Sequence, residues 1–280
     1  MARSLVVKNP WEKLKTFTDA RIALGRAGTS LPTDEWLKFQ LEHAQARDAV
    51  HTPLDVAACI QQFRPQALDL LPNGQPFSPR VLASQAIDRG TYLQRPDLGR
   101  RLNIDSAQAI DEMAAQYPNG CDLVIVCVDG LSSTAIEKNA VPFIQCLLPA
   151  IDDRVSSDMT LAPILFCTQG RVAIGDDIAQ RLKAKVVMVI IGERPGLSSP
   201  DSMGLYLTYA PKVGTTDAQR NCISNIRDGG LSYAGATRKA VYLLMESIRL
   251  KLSGVGLKER TEGTQDVLKN TRNFLTEECG

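Results

Sequence analysis

Three short apolar runs in the second half of the chain constrain its fold more than any other feature. They extend from Asp122 to Val128, from Ala162 to Cys167 and from Lys185 to Ile191. Helical patterns lie between them, from about Thr134 to Leu148 and from about Asp176 to Lys183. Strands buried on both faces of a parallel sheet are nearly continuous apolar runs, and strand–helix–strand alternation is typical of βαβ units. The sequence therefore predicts an α/β fold, a Rossmann-like parallel sheet with helices on both faces.

The pattern differs on the two sides of this central part. Leu205 to Tyr209 and Cys222 to Ile226 are further candidate strands, and Ser232 to Leu252 is predicted as the longest helix. Residues 1–115 are predicted to form a mainly helical N-terminal region, 116–257 the Rossmann-like domain and 258–280 a C-terminal tail. In the first region Thr33 is placed to cap a helix, and residues 63–80 contain several prolines typical of an irregular connection. The inner face of that helix would contain Trp36, Leu37, Leu41 and Ala44.

Composition excludes several classes of function. With 32 basic and 31 acidic residues, the chain lacks the charge excess of a nucleic-acid-binding protein. No apolar stretch approaches the roughly 20 residues that span a bilayer, so we expect a cytoplasmic protein without a membrane partner. The seven cysteines form no Cys-x-x-Cys pair, and the only two histidines are His43 and His51. These counts argue against a protein metal site and against a Ser-His-Asp triad in the C-terminal half.

Three loops that follow the predicted strands are candidates for ligand binding, because open α/β sheets bind ligands beyond the carboxyl ends of their strands. The first loop, 129–133, contains Asp129 and Ser132 and precedes a helix that Thr134 and Glu137 could cap. The second, 168–172, carries Gly170 and an arginine that could reach an anion. The third, 192–197, places Glu193 between small, stiff residues. For each loop, a well-formed turn without a ligand is the alternative interpretation.

Five segments resemble one known family, the ethanolamine ammonia-lyase light chain. The resemblance covers roughly residues 18 to 257, with the segments in order and at compatible spacing. Each segment alone is weakly specific, whereas the five together are specific. They are Ala20–Gly28, Tyr92–Leu102, Gly192–Gly196, Asn221–Ile226 and Ser253–Val255.

This resemblance implies a non-autonomous enzyme subunit that works with adenosylcobalamin. In that family a large TIM-barrel subunit holds ethanolamine, and the small subunit closes the cobalamin site in a hetero-oligomer. An adenosyl radical then converts ethanolamine to acetaldehyde and ammonia. The resemblance assigns partner contacts to the helical N-terminal region and cobalamin binding to residues 116–257. It implies no catalytic residue in this chain.

The resemblance also implies particular cofactor contacts. Val172, Glu193 and Cys222 match the family's cobalamin-binding positions, and Glu193 would accept hydrogen bonds from corrin side-chain amides. Val172 and Cys222 would pack against the ring edge or the nucleotide tail. Three further candidates rest on loop position only: Arg194, Asp129 and Ser132.

The mode of cofactor binding follows from the two histidines. Neither His43 nor His51 stands in an Asp-x-His-x-x-Gly motif, and no histidine lies in the predicted Rossmann-like half. We therefore expect cobalamin to keep its own dimethylbenzimidazole on cobalt, the base-on state. Some family members carry a longer N-terminal extension used for packaging in a bacterial microcompartment. This chain begins about 20 residues before the first shared motif, which leaves packaging open.

Two other classes of function remain as alternatives at this point. The first is a self-contained nucleotide-dependent Rossmann enzyme with the Asp129 loop on a phosphate. The missing Gly-x-Gly-x-x-Gly fingerprint weighs against it. The second is a structural or packaging adaptor that touches no cofactor. Binding of a nucleotide by the isolated chain would favour the first, and a Glu193 substitution without effect on cobalamin would favour the second.

Overall fold

The computed structural model describes residues 5–18, 20–63, 79–154 and 159–258. The predicted irregular connection at 63–80 and the predicted C-terminal tail at 258–280 lie almost entirely outside the described residues. Among the described helices, none combines the length and apolar character needed to cross a membrane.

A single six-stranded sheet organises most of the described chain, and a two-stranded antiparallel sheet lies near the N-terminus. The strands are β1 (Val6–Val7), β2 (Arg26–Ala27), β3 (Arg80–Ala83), β4 (Leu123–Val128), β5 (Leu165–Thr168), β6 (Val186–Gly192), β7 (Met203–Tyr209) and β8 (Arg220–Ile226). β1 and β2 form the small sheet, and the order of strands in the large sheet is β3-β5-β4-β6-β7-β8.

The three predicted apolar runs form β4, β5 and β6 at the centre of the sheet. These strands are parallel to one another and to β3. β7 is antiparallel to both of its neighbours, so the sheet is mixed rather than wholly parallel. β7 follows β6 through a loop without a crossover helix, which reverses its direction. The α/β class is confirmed, and the all-parallel expectation holds for the four strands from β3 to β6.

Helices cover both faces of the sheet, as predicted. The side chains of β4 alternate between two apolar cores: Leu123, Ile125 and Cys127 enter one, and Val124, Val126 and Val128 enter the other. The helices are α1 (Thr33–His51), α2 (Val56–Gln61), α3 (Arg89–Gln94), α4 (Ile104–Ala114), α5 (Ser133–Arg154), α6 (Ile174–Arg181) and α7 (Tyr233–Leu250). Helices α2, α5 and α7 pack in the first core, and α4 and α6 pack in the second.

Three predictions about helices are wrong in detail. The longest described helix is α5, with 22 residues, whereas α7 has 18. Thr33 is the first residue of α1, and the cap position is occupied by Pro32, which makes no side-chain capping hydrogen bond. The predicted inner face of α1 is also exposed: Trp36, Leu37 and Leu41 have 49%, 62% and 59% of their surface accessible. Only Ala49 of this helix is buried, since the helix lies at the surface of the described chain.

Candidate functional site

A crevice opens where the three predicted ligand-binding loops meet. Helix α5 links β4 to β5 on one face, and α6 links β5 to β6 on the other, so the strand order reverses at β4. Such a reversal leaves a crevice beyond the carboxyl ends of the strands. Here the crevice has a volume of about 420 Å³. The first loop contributes Gly130 and Leu131 to its wall, the second contributes Arg171 and Val172, and the third contributes Glu193 and Arg194.

The first and third loops are in direct backbone contact at the floor of the crevice. The N–H of Leu131 donates to the carbonyl of Gly192 at 2.9 Å. A Cβ on Gly192 would lie 2.0 Å from the carbonyl oxygen of Ser132, and Gly130 has a φ of 56°. Neither position has room for a side chain, so glycine is required at both. The floor is therefore stiff and consists of backbone.

Asp129 organises the first two loops from behind the crevice rather than lining it. Its carboxylate is fully buried and accepts hydrogen bonds from the N–H groups of Gly130, Gln169 and Gly170 at 2.9, 2.8 and 3.0 Å. It also pairs with the guanidinium of Arg89 at 3.3 Å. Burial raises the pKa of Asp129, although Arg89 and the three amides favour the ionised form. The first loop is thereby attached to the second.

Ser132 also lies behind the wall of the crevice. Its hydroxyl accepts from the N–H of Ala135 at 3.1 Å and donates to the carbonyl of Pro200 at 2.7 Å. Ser132 therefore caps α5, where the sequence suggested a capping box of Thr134 and Glu137. The bond to Pro200 holds the connection between β6 and β7, of which the third loop is the first part, against the first loop.

Glu193 lies on the crevice wall with its carboxylate held by three donors. The hydroxyl of Ser202 donates at 2.5 Å, the hydroxyl of Ser224 donates to the other oxygen, and the N–H of Asn225 donates at 3.2 Å. Ser202 is buried, and Asn225 has a φ of 60°, which turns the end of β8 toward the carboxylate. A carboxylate has about four acceptor sites, so one remains for a ligand.

The other predicted site residues lie at different depths. Val172 is half-buried and lines the crevice, and Arg194 is exposed at its rim, without a carboxylate partner among the described residues. Cys222 does not line the crevice. It lies on β8 opposite Tyr206, which does line it. The thiol is exposed, yet partial burial still raises its pKa. Of the six predicted site residues, Val172, Glu193 and Arg194 line the crevice and Cys222 lies beside it. Asp129 and Ser132 support it from behind.

Tyr92 is a part of the wall that sequence analysis did not single out as a functional residue. Its ring is stacked between two guanidiniums, with the Cζ of Arg89 4.7 Å and that of Arg171 4.2 Å from the ring centre. Its hydroxyl donates to the carbonyl of Gly170 at 3.1 Å. Arg89 in turn donates to the carbonyl of Val50 in α1 at 2.6 Å. These contacts fasten the N-terminal region to the crevice. Two signals in the sequence could have pointed to Tyr92: its spacing from Arg89 on one helical face, and its place at the start of the Tyr92–Leu102 segment.

The fold and the crevice define a class: α/β proteins that bind a small molecule where the strand order of a doubly covered sheet reverses. Comparison with known proteins identifies the family within this class. The family model of the ethanolamine ammonia-lyase light chain matches residues 8–258. The chain belongs to this family, which confirms the resemblance seen in the sequence.

Curated relatives carry the same description. A protein of Pseudomonas fluorescens named ethanolamine ammonia-lyase small subunit is 53% identical over 256 residues, which cover 91% of this chain and 89% of the relative. One from Azotobacter vinelandii is 52% identical over 260 residues, covering 93% and 92%. One from Ralstonia nicotianae is 50% identical over 270 residues, covering 96% and 95%. The similarity therefore extends over nearly the whole length of each protein.

Proposed function

We propose that the chain is the small subunit of an adenosylcobalamin-dependent ethanolamine ammonia-lyase and forms one wall of its cobalamin site. The complex would convert ethanolamine to acetaldehyde and ammonia, with the substrate held by a TIM-barrel large subunit. The observation that carries this proposal is the crevice between Val172 and Glu193, in a chain that belongs to the light-chain family.

The donor and acceptor groups of the crevice suit part of a cobalamin. The corrin ring carries side-chain amides, whose N–H groups need acceptors, and the carboxylate of Glu193 has one acceptor site left. Leu131, Val172 and Ile191 offer apolar contact beside it. A cavity of about 420 Å³ holds only part of a cobalamin and leaves the remainder for a second subunit to cover. A site shared between two subunits explains this size.

The roles of this chain's own residues are binding, orientation and exclusion of water. When bound, the cofactor supplies the radical that starts the reaction. Glu193 would fix the orientation of the corrin through an amide hydrogen bond, because Ser202 and Ser224 hold its carboxylate in place. Asp129 would keep the first two loops in position. We propose no catalytic residue in this chain.

The position of the histidines supports the proposed base-on state. His43 and His51 both lie on α1, and neither lines the crevice. No imidazole of the described residues is therefore placed to replace dimethylbenzimidazole on cobalt.

The large subunit would dock on the N-terminal region. Trp36, Leu37 and Leu41 form an exposed apolar surface on α1, and Trp11 and Phe17 are also more than half exposed. Exposed apolar patches of this kind are typical of protein–protein interfaces, where tryptophan is enriched. Through Arg89, which bonds to the end of α1, this surface is connected to the crevice. We place the assembled enzyme in the cytoplasm and leave its packaging in a microcompartment open.

Reconstitution tests the proposal. The purified chain, the purified large subunit and their mixture are each supplied with ethanolamine and adenosylcobalamin, and ammonia release is followed. We expect ammonia only from the mixture, at a rate that depends on added adenosylcobalamin. A stable complex that binds no cobalamin would overturn the proposal and would favour the packaging adaptor. Tight binding of an adenine or nicotinamide nucleotide by the chain alone would favour the nucleotide enzyme instead.

The geometry gives little support to the nucleotide alternative. In the first loop the side chains of Asp129 and Ser132 are both buried and bonded within the protein. Neither is turned toward the crevice, so the side chains of this loop offer no donor to a phosphate there.

A further inference from the structure

A second cavity, lined by four arginines, lies next to the crevice. It has a volume of about 550 Å³. It shares Arg171 and Val172 with the crevice, so the two cavities have a common wall. We call it the arginine cavity. Its arginines are Arg100, Arg101, Arg171 and Arg220.

Two of these arginines are already compensated by carboxylates. Arg220 is buried and makes a bidentate pair with Asp176 at 2.6 and 2.7 Å, and its Nε lies 3.5 Å from exposed Asp217. Arg101 lies 3.9 Å from Asp177. The charges of Arg220 and Arg101 are therefore balanced by carboxylates within the protein.

The other two arginines lack a carboxylate partner among the described residues. Arg100 is exposed at the edge of the cavity. Arg171 stacks on Tyr92, and one of its Nη atoms donates to the carbonyl of Tyr92 at 3.3 Å. The Nε of Arg171 is buried and has no hydrogen-bond partner in the described chain. A buried donor without an acceptor is costly, so the hydrogen-bonding capacity of the Arg171 guanidinium is not fully used within the described chain.

The start of α6 adds two backbone donors to the same wall. The helix begins at Ile174, and its cap residue, Ala173, makes no side-chain capping bond. The N–H groups of Val172 and Ala173 have no acceptor within the described residues. Asp176 and Asp177 lie in the first turn of α6, and both carboxylates already have partners. Asp176 is paired with Arg220, and Asp177 accepts from Arg181 and from the N–H of Leu102. Unused N–H groups at a helix start, beside free guanidiniums, suit the oxygens of an anion.

We propose that the arginine cavity binds a phosphate group, and that in the assembled enzyme this group is the phosphodiester of the cofactor's nucleotide tail. This inference rests on the proposed function. The corrin edge would lie in the crevice and the tail would pass Val172 into the arginine cavity, because Val172 lines both. The other source of the same chemistry is free inorganic phosphate.

Corrinoids with and without the tail distinguish these sources. Cobalamin and cobinamide, which lacks the nucleotide tail, are titrated against the complex with the large subunit. The variants are Arg100→Gln and Arg171→Gln, and Arg95→Gln is the control because Arg95 is exposed and pairs with Asp97 outside the cavity. Loss of one charge-assisted hydrogen bond should weaken cobalamin binding by about tenfold or more. Cobinamide binding should not change with Arg100→Gln, because Arg100 lines the arginine cavity but not the crevice. The control should bind both corrinoids like the wild type.

Each other outcome is decisive. If cobalamin binding is unchanged in both variants but calorimetry detects inorganic phosphate binding that they abolish, the site stands and its ligand is free phosphate. If Arg100→Gln weakens both corrinoids equally, or if neither cobalamin nor phosphate responds to either variant, the proposal is overturned. If the wild-type complex binds no corrinoid at all, the proposed function fails. The phosphate titration then decides the arginine cavity by itself.

Discussion

Replacing Asp129 with asparagine should destabilise the chain far more than the small change in volume suggests. The buried carboxylate accepts three backbone N–H groups and pairs with Arg89, which is itself buried. An asparagine side chain has a single acceptor oxygen, so its NH2 group would face a backbone donor. The charge of Arg89 would remain in the interior without its partner.

The structure sets the expected size of this effect. Removing one partner of a buried ion pair costs about 3–5 kcal/mol, whereas an exposed pair contributes about 0–1 kcal/mol. Asp111→Asn is the matched control, because Asp111 is 57% exposed and pairs with Arg181 at 2.8 Å. We therefore expect the free energy of unfolding to fall by about 3–5 kcal/mol for Asp129→Asn and by at most about 1 kcal/mol for the control. Urea denaturation followed by circular dichroism measures both.

A loss for Asp129→Asn no larger than that of the control would refute the assigned role of this carboxylate. A double variant, Asp129→Asn with Arg89→Met, tests the same reasoning in another way. It should be less destabilised than the sum of the two single variants, because it removes both charges together. Additive losses would show that the two side chains do not act as a pair.

Three further predictions concern the binding of cofactor and partner. Ser202→Ala removes a donor to Glu193 and should weaken cobalamin binding by the complex about tenfold in an absorbance titration; unchanged affinity would contradict the positioning role. Because its pKa is raised, Cys222 should react with iodoacetamide more slowly at pH ~8 than an unperturbed thiol and speed up as the pH rises through that pKa. Mass spectrometry measures this rate, and fast labelling at pH ~8 would contradict it. Trp36→Ser should change the stability of the chain by no more than about 0.5 kcal/mol but weaken its association with the large subunit. Unimpaired association in analytical ultracentrifugation would rule out this surface as the interface.

The central strands could be predicted because burial on both faces leaves a strong pattern. All six residues of β4 and all seven of β6 are buried, so their sequences are nearly continuous apolar runs. The direction of β7 could not be predicted, because an apolar strand has the same pattern in either orientation. β3 was not predicted at all: it has four residues at the edge of the sheet, and Val81 in its middle is exposed.

Helix α5 shows how tertiary packing extends an element beyond its local signals. Pro149 is typical of a helix end, and the sequence pattern suggested an end near Leu148. The helix instead continues to Arg154. Ile151 packs in the same apolar core as Leu147 and Leu148, and this burial outweighs the backbone hydrogen bond that proline cannot donate.

At the site, loop position predicted the right loops but not the direction of every side chain. Glu193 and Val172 line the crevice, whereas Asp129 and Ser132 point into the protein. There they bind backbone groups of other segments, at Gln169 and Pro200 respectively. The contribution of Tyr92 could not be predicted, because it depends on a contact with Gly170 that spans 78 positions of the chain. Sequence patterns describe neighbours along the chain, and this wall is built from distant segments.

The most direct test of the shared cobalamin site is the visible spectrum of cobalamin titrated into the complex of this chain and the large subunit. Wild-type chain should give a saturable, base-on spectrum that neither subunit gives alone. Glu193→Ala should still assemble with the large subunit but bind cobalamin at least about tenfold more weakly. An identical titration with the wild-type and Glu193→Ala complexes, or a full cobalamin spectrum with the large subunit alone, would contradict the account.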